Sequence, residues 1–316
     1  MPKFSVIIPL YNKEQDIQKT LDSLLKQSFT DFEVIIVNDG STDESEKVVQ
    51  TVNDARINYF SKKNEGISLT RNFAVEKATT DYVFFLDADD YWYPGHLENM
   101  HEMIKKFPNA NWFATAHNKK YNDNLITPMI SPILKKGENW IGLVDDYFRN
   151  SLVDPLAWTS AVGMKKDFFT KLNGFDISID RAAAGEDTDL WIRAALESPL
   201  AFSTRISATH NLDGNNRISH TNVLNRAYMD LNKYEKEEEE NPYLKQYLDL
   251  NRYSLAIQHK MAGDMTSYKK YAAKINLENL NSKQRKLLKQ PKHTLNLLLK
   301  SKALFEKFGL RINTYK

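Results

Sequence analysis

The chain has 316 residues, 41% of them hydrophobic and 27% charged, with no cysteine and a formal net charge of +2. This is the composition of an ordinary globular protein with room for one large domain and a smaller one, and it excludes disulfides and thiolate metal sites. No run approaches the roughly 18 apolar residues of a membrane-spanning helix, and Met1-Pro2-Lys3-Phe4 opens no signal-peptide pattern, so a cytoplasmic protein is expected.

Phe4-Ser5-Val6-Ile7-Ile8-Pro9 reads as a first buried strand, followed by Ile17, Leu21, Leu24 and Leu25 at helical spacing. Phe32-Glu33-Val34-Ile35-Ile36-Val37 predicts a second strand. It runs into Asn38-Asp39-Gly40-Ser41-Thr42-Asp43, a turn ending as the N-cap of a helix over about 43–53. Ile57-Asn58-Tyr59-Phe60 predicts a short strand, 66–78 a helix, 82–86 a strand, and 96–106 a helix beginning just past Pro94. Residues 111–165 carry several aromatics and predict short mixed strands. A helix is expected over 187–196 and an edge strand over 200–209. Strands alternating with helices argue for an α/β fold with a parallel sheet and helices on both faces. Past residue 221 long helical patterns take over, at 221–236, 243–262, 264–275 and 292–308, with Ala262-Gly263-Asp264 as the turn of a helical hairpin. The acidic run from Glu237 to Glu240 reads as a solvated helix end or linker. The expected boundary divides 1–220 from a helical region, 221–316.

Asp87-Ala88-Asp89-Asp90 directly follows the apolar run Tyr82 to Leu86. Carboxylates at i and i+2 beyond a buried strand converge on one small volume, where they are costly unless a cation or ligand neutralises them. Hard oxygen ligands of this kind suit Mg²⁺ or Mn²⁺ held against a diphosphate; the alternative is that they cap the helix near Pro94. Ligands of parallel α/β sheets bind beyond the carboxyl ends of the strands. Asp39 and Asp87 both sit there, so one ligand can touch both.

Five segments occur in order: Val6 to Asn12, Ile36 to Asp43, Asn64-Glu65-Gly66 through Arg71-Asn72, Phe85 to Asp90, and Gly185-Glu186-Asp187-Thr188-Asp189-Leu190-Trp191. Together they resemble the family 2 glycosyltransferases of the GT-A fold, over roughly residues 3–220. The resemblance implies a Rossmann-like, mostly parallel sheet flanked by helices, to which residues 221–316 add a C-terminal α-helical extension.

Position by position, the resemblance sets Pro9, Tyr11 and Glu14 along the nucleotide base. Asp39 becomes the acceptor of the uracil N3–H, a role a carboxylate fills well. Where the family more often has Asp-Asp, this chain has Asn38-Asp39, which puts any role needing a charge at 38 in doubt. Asn64, Gly66 and Arg71 match the segment near base and phosphates, Arg71 pairing with a phosphate or with Asp87. Asp87, Ala88 and Asp89 match the DxD motif, the first acid near the ribose and the last on the metal. Asp90 supports them or caps a helix. Asp187 matches the general base of inverting enzymes, beside Glu186, which contacts the acceptor or positions the site; the alternative for Asp187, and equally for Asp189, is an N-cap. Trp191 is read either as a wall of the sugar site or as core. His210 is the first choice for completing the metal shell and His220 the second, and Arg217 is a loop cation in reach of the diphosphate.

The implied reaction moves a sugar from a nucleotide donor, a UDP-sugar by this reading, to an acceptor hydroxyl with inversion, aided by Mn²⁺ or Mg²⁺. A glycan or lipid-linked glycan acceptor in bacterial surface polysaccharide or glycoconjugate synthesis is expected, and no nucleic acid. The Gln-x-x-Arg-Trp motif and membrane spans of similar polymerising synthases are absent from the sequence. Residues 283–316 hold ten Lys or Arg and one acid, Glu306. The stretch with Pro291, Leu295, Leu298, Leu299, Leu304, Phe305 and Phe308 can be either a basic amphipathic helix on the inner face of the cell membrane or a helix packed on the body. Two rival functions are a nucleotidyltransferase, disfavoured because the loop Leu10 to Gln15 has no glycine, and a degenerate module that only holds a nucleotide sugar or glycan.

Overall fold

The computed structural model describes residues 3–179, 183–214, 217 and 221–307. Its strands are β1 (Phe4–Leu10), β2 (Phe32–Asn38), β3 (Ile57–Ser61), β4 (Tyr82–Phe85), β5 (Tyr91–Trp92), β6 (Trp112–Asn122), β7 (Leu125–Pro128), β8 (Ile141–Leu143), β9 (Val162–Lys165), β10 (Ala183–Ala184), β11 (Ala201–Asn211) and β12 (Ala227–Tyr228). Its helices are α1 (Ile17–Leu25), α2 (Ser45–Gln50), α3 (Ile67–Lys77), α4 (His96–Lys106), α5 (Tyr147–Asn150), α6 (Lys166–Lys171), α7 (Glu186–Glu197), α8 (Glu235–Glu240), α9 (Pro242–Ala262), α10 (Met265–Ala272), α11 (Ser282–Lys289) and α12 (Lys292–Lys307).

One mixed, mostly parallel sheet runs β3-β2-β1-β4-β9-β6-β11-β5, with β7 on β6 and β8 on β11. β3, β2, β1 and β4 are parallel to one another. β9 is antiparallel to both β4 and β6, and β11 is parallel to β6. Thus β1, β2, β3, β4, β6 and β11 all point their carboxyl ends to one edge. Every residue of β1 and β2 is buried, as expected of strands covered on both faces. Alternate side chains serve different layers. Val6, Ile8, Val34 and Ile36 pack with Leu21 of α1 and Leu97 and Met100 of α4. Ile7, Ile35 and Val37 pack with Ala74 of α3 and Leu190 of α7.

Several sequence expectations are corrected. The strand near 200–209 is not an edge: β11 pairs with β6 on one side and with β5 and β8 on the other. Region 111–165 holds a long strand, β6, whose polar residues from Thr115 to Lys119 are largely buried against neighbouring elements rather than alternating with solvent. Residues 221–236 form no long helix; two short 3₁₀ turns flank β12, which pairs with β10. The acidic run lies in α8, and Glu238 is not simply solvated but pairs with the buried Arg252 at 2.7 Å. The expected hairpin of α9 and α10 is present, with Gly263 at φ +93 ending the first helix and Asp264 capping the second. Leu231, Tyr234, Leu244, Tyr247 and Leu248 share one core with residues before 221.

Candidate active site

A cavity of about 640 Å³ opens where β1, β2 and β4 end, within the roughly 300–1,000 Å³ typical of ligand sites. Pro9, Tyr11, Asp39, Asn64, Gly66, Arg71, Asp87, Ala88, Asp89, Glu186, Asp187 and His210 all line it. Glu14 does not: its Oε2 accepts from Glu44 N at 2.8 Å, so its carboxylate braces the turn into α2. His220 lies outside the described residues, as does Phe308.

Asp39 leaves β2 beside Gly40, whose φ of +70 and close approach to Asn64 N leave no room for a side chain. Asp39 Oδ1 accepts from Lys62 Nζ and Glu65 N, and Oδ2 from Gly66 N, each at 2.9 Å. Asn64 Nδ2 donates to Asp39 O at 2.9 Å. Asp39 therefore holds the 64–66 loop at the start of α3. Three of a carboxylate's roughly four acceptor positions are used, which leaves one on Oδ2.

Beyond β4, Leu86 N still donates to Ile7 O at 3.0 Å, and Asp90 N closes a turn onto Asp87 O at 3.0 Å. This turn fans out the three aspartates. Asp87 Oδ1 accepts from Arg71 Nη2 at 2.6 Å, and the same guanidinium gives Nη1 to Glu186 Oε1 at 2.9 Å. Arg71 is buried and lies over the Phe175 ring at 5.1 Å, so one cation ties the end of β4 to the start of α7. Its pairings are set to phosphate-free partners, Asp87 and Glu186. Burial, and then the charge of Asp187, push Glu186 up to about 7 against the pull of Arg71.

Asp89 Oδ2 accepts from Lys13 Nζ at 2.7 Å, and Arg217 Nη1 lies 3.5 Å away. Asp90 is buried, accepting from Ser160 Oγ at 2.6 Å and Asn211 N at 2.8 Å. Burial, then Asp89 and Asp87, push it well above the usual carboxylate range. It is no helix cap: α4 begins after Gly95 without a side-chain cap. Neither is Asp189, which is fully buried and bonded to Tyr234 Oη at 2.6 Å and Arg193 Nε at 2.9 Å. Trp191 is core, packed against Phe85, Trp112 and Phe175, and not a wall of the cavity.

Asp187 stands in the first turn of α7, accepting from Thr188 N at 2.6 Å and Thr159 Oγ1 at 3.4 Å. Asp39, Asp87 and Asp89 each face Lys or Arg; among the described residues Asp187 has no such ion pair. Behind it lies Tyr247 of α9, whose hydroxyl is pushed up by burial and by the Asp187 charge. His210 is neutral: burial and then Arg217 hold it well below the usual imidazole range, and its Nε2 sits 2.8 Å from Arg217 Nη2. Its ring stacks on Trp158 at 4.7 Å. Sequence reasoning missed Lys13, Trp158 and Thr159 as wall residues. Lys13 lay in the loop already singled out for lacking glycine; no pattern marked Trp158.

A family model described as glycosyl transferase family 2 matches residues 5–172. The chain belongs to glycosyl transferase family 2. An uncharacterized glycosyltransferase of Rickettsia felis is 30% identical over 236 residues, 73% of this chain and 35% of that protein. A chondroitin synthase of Escherichia coli is 29% identical over 220 residues, 68% of this chain and 30% of that protein. The chain thus spans about a third of the length of these curated relatives. Among solved structures, S. aureus TarS 1–349 in complex with UDP-GlcNAc superposes with a TM-score of 0.61 at 17% identity, covering 95% of this chain and 92% of that one. This likeness shows the fold, a GT-A sheet with a helical C-terminal part.

Among the described residues no three His, Asp or Glu side chains gather as a metal-holding group. Asp87, Asp89 and the neutral His210 offer carboxylate oxygens and one imidazole nitrogen. That set fits a hard divalent cation only if diphosphate oxygens and water complete its shell.

Proposed function

We propose that this chain transfers a sugar from a UDP-sugar to an acceptor hydroxyl with inversion. The convergence of Asp39, Asp87-Ala88-Asp89 and Glu186-Asp187 on one cavity carries this reading. Complexes of S. aureus TarS with UDP and with UDP-GlcNAc are among its structural neighbours, which supports a uridine diphosphate donor. Residues 1–220 bear most of the site; Thr221 and Arg226 add to the cavity wall, and the helical region backs it through Tyr247.

The remaining acceptor position of Asp39 Oδ2 takes the uracil N3–H, with Pro9 and Tyr11 along the base and Asn64 and Gly66 beside it. Asp89, with Asp87 and His210, would hold Mn²⁺ or Mg²⁺, which supplies Lewis-acid stabilisation of the departing diphosphate. Lys13 and Arg217, set against Asp89 without ligand, turn to phosphate oxygens. Asp187 removes the acceptor proton: it is partly exposed to the cavity, has no Lys or Arg ion-pair partner among the described residues, and is fixed by Thr188 N and Thr159. Glu186, held by Arg71, positions it. The acceptor is a glycan or lipid-linked glycan of surface polysaccharide synthesis.

UDP release from a panel of UDP-sugars with glycan acceptors tests this. Asp187→Asn abolishes acceptor-dependent release while UDP binding stays within about twofold; loss of UDP binding as well removes the base role.

A further inference from the structure

Helix α12 leaves a long apolar face uncovered. Leu297, Leu298, Leu304 and Phe305 are 42% to 66% exposed. They recur at i, i+1, i+7 and i+8, one stripe of a helix with 3.6 residues per turn. The helix is nevertheless anchored: Leu295 is buried on another face, and Asn122 Nδ2 donates to Glu306 O at 3.3 Å. Four clustered large apolar side chains facing water mark a contact surface more often than chance exposure.

The charge around this stripe selects the occupant. From 283 to 307 the chain carries eight Lys or Arg and the single acid Glu306. Lys283, Arg285, Lys286, Lys289, Lys292 and Lys300 are exposed. A second protein copy with the same basic belt would repel it, whereas anionic headgroups over an acyl layer satisfy both features.

The position is also informative. Asn122 ends β6, whose carboxyl end lies at the same edge as those of β1, β2 and β4. That is the edge where the cavity opens, and Asn122 ties the C-terminal end of α12 to it. We infer that α12 lies in the interface of an anionic lipid bilayer, apolar stripe inward, and keeps the cavity edge of the sheet near the headgroups. The docking itself is independent of the proposed reaction; that it serves a lipid-linked acceptor rests on that reading.

The test is flotation of the full chain with vesicles of phosphatidylcholine alone or with about 30% phosphatidylglycerol. Binding is expected only with the anionic lipid. It falls about a hundredfold in Leu297→Glu/Leu304→Glu, which takes two leucines out of the lipid-facing stripe, and at least about tenfold in Lys289→Gln/Lys292→Gln/Lys300→Gln. All these residues are exposed, so the melting curves should match wild type. Binding that survives the leucine changes overturns the inference, because attraction would then be electrostatic only. So does absence of binding at low salt, and so does a dimer, by light scattering, that the leucine changes dissociate. UDP binding measured in the same variants stays unchanged, which separates failure of docking from failure of the donor site.

Discussion

Replacing Glu186 by glutamine isolates the electrostatics of the cavity. In the native chain burial and Asp187 outweigh Arg71 and raise the Glu186 carboxyl from 4.5 to about 7. A carboxyl that holds its proton more tightly when folded contributes stability that is fully present below the unfolded pKa. That contribution is lost as pH rises through the folded value. The window is therefore about pH 4.5 to 7. At roughly 1.4 kcal/mol per tenfold change in proton affinity, a rise from 4.5 to about 7 gives a ceiling of about 3.5 kcal/mol. Glutamine keeps an oxygen for Arg71 Nη1 but cannot ionise. Urea unfolding at pH 5 and pH 8 should show wild type losing about 2–3 kcal/mol more than Glu186→Gln over that interval. Equal losses in both proteins would refute the reasoning and mean that Arg71 offsets the burial of this carboxylate.

Other consequences are equally direct. Asp89→Ala should remove the Mn²⁺-dependent part of any UDP-induced rise in melting temperature, out of a total UDP stabilisation of roughly 3 kcal/mol at about a hundredfold excess over Kd; an undiminished shift would take the metal away from Asp89. Gly163 of β9 faces Phe84, and a Cβ there would sit 2.2 Å from the Phe84 ring. Gly163→Ala should therefore cost about 1–3 kcal/mol by overpacking, read as a lower urea midpoint, and an unchanged midpoint would contradict the packing of β4 on β9. In Asp187→Asn, donor binding should persist while acceptor-dependent UDP release disappears.

The parts of the fold that were legible were those whose sequence follows from burial. β1, β2 and β4 are mostly apolar runs, broken in β1 by Ser5 and in β2 by Glu33, because both of their faces are covered, and α1 shows Ile17, Leu21 and Leu24 because one face is. The hairpin of α9 and α10 was legible because Gly263 and Asp264 are themselves the stop and start signals. β6 was not, because its buried polar residues are satisfied by tertiary partners: His117 against Trp158, and Lys119 against Asp154. Residues 221–236 misled because an apolar spacing that fits a helix is used instead to place Leu231 and Tyr234 in the core through short turns. α11 carried a signal that was passed over, the capping box of Asn281 and Gln284.

At the site, the ordered motifs located the carboxylates but not their partners. Arg71 was expected on a phosphate or on Asp87, and the structure gives it Asp87 and Glu186 together. Asp39 was read for a base contact, and the structure adds its hold on the 64–66 loop. Trp191 sits in the same motif as Asp187 yet belongs to the core: Asp187 stands, partly exposed, in the first turn of α7, and Trp191, one turn further along the helix, is already covered by Phe85, Trp112 and Phe175; the aromatic ring that lines the cavity, Trp158, comes from a segment without regular periodicity.

The central claim is that the cavity at the carboxyl edge of the sheet binds the donor nucleotide. Isothermal titration calorimetry of UDP, GDP, dTDP and CDP into the full chain, each with Mn²⁺ and with EDTA, tests it most directly. The account predicts saturable binding of UDP at one site per chain, strengthened by Mn²⁺ and competed by a UDP-sugar. No binding heat from any of the four nucleotides under either condition would contradict it.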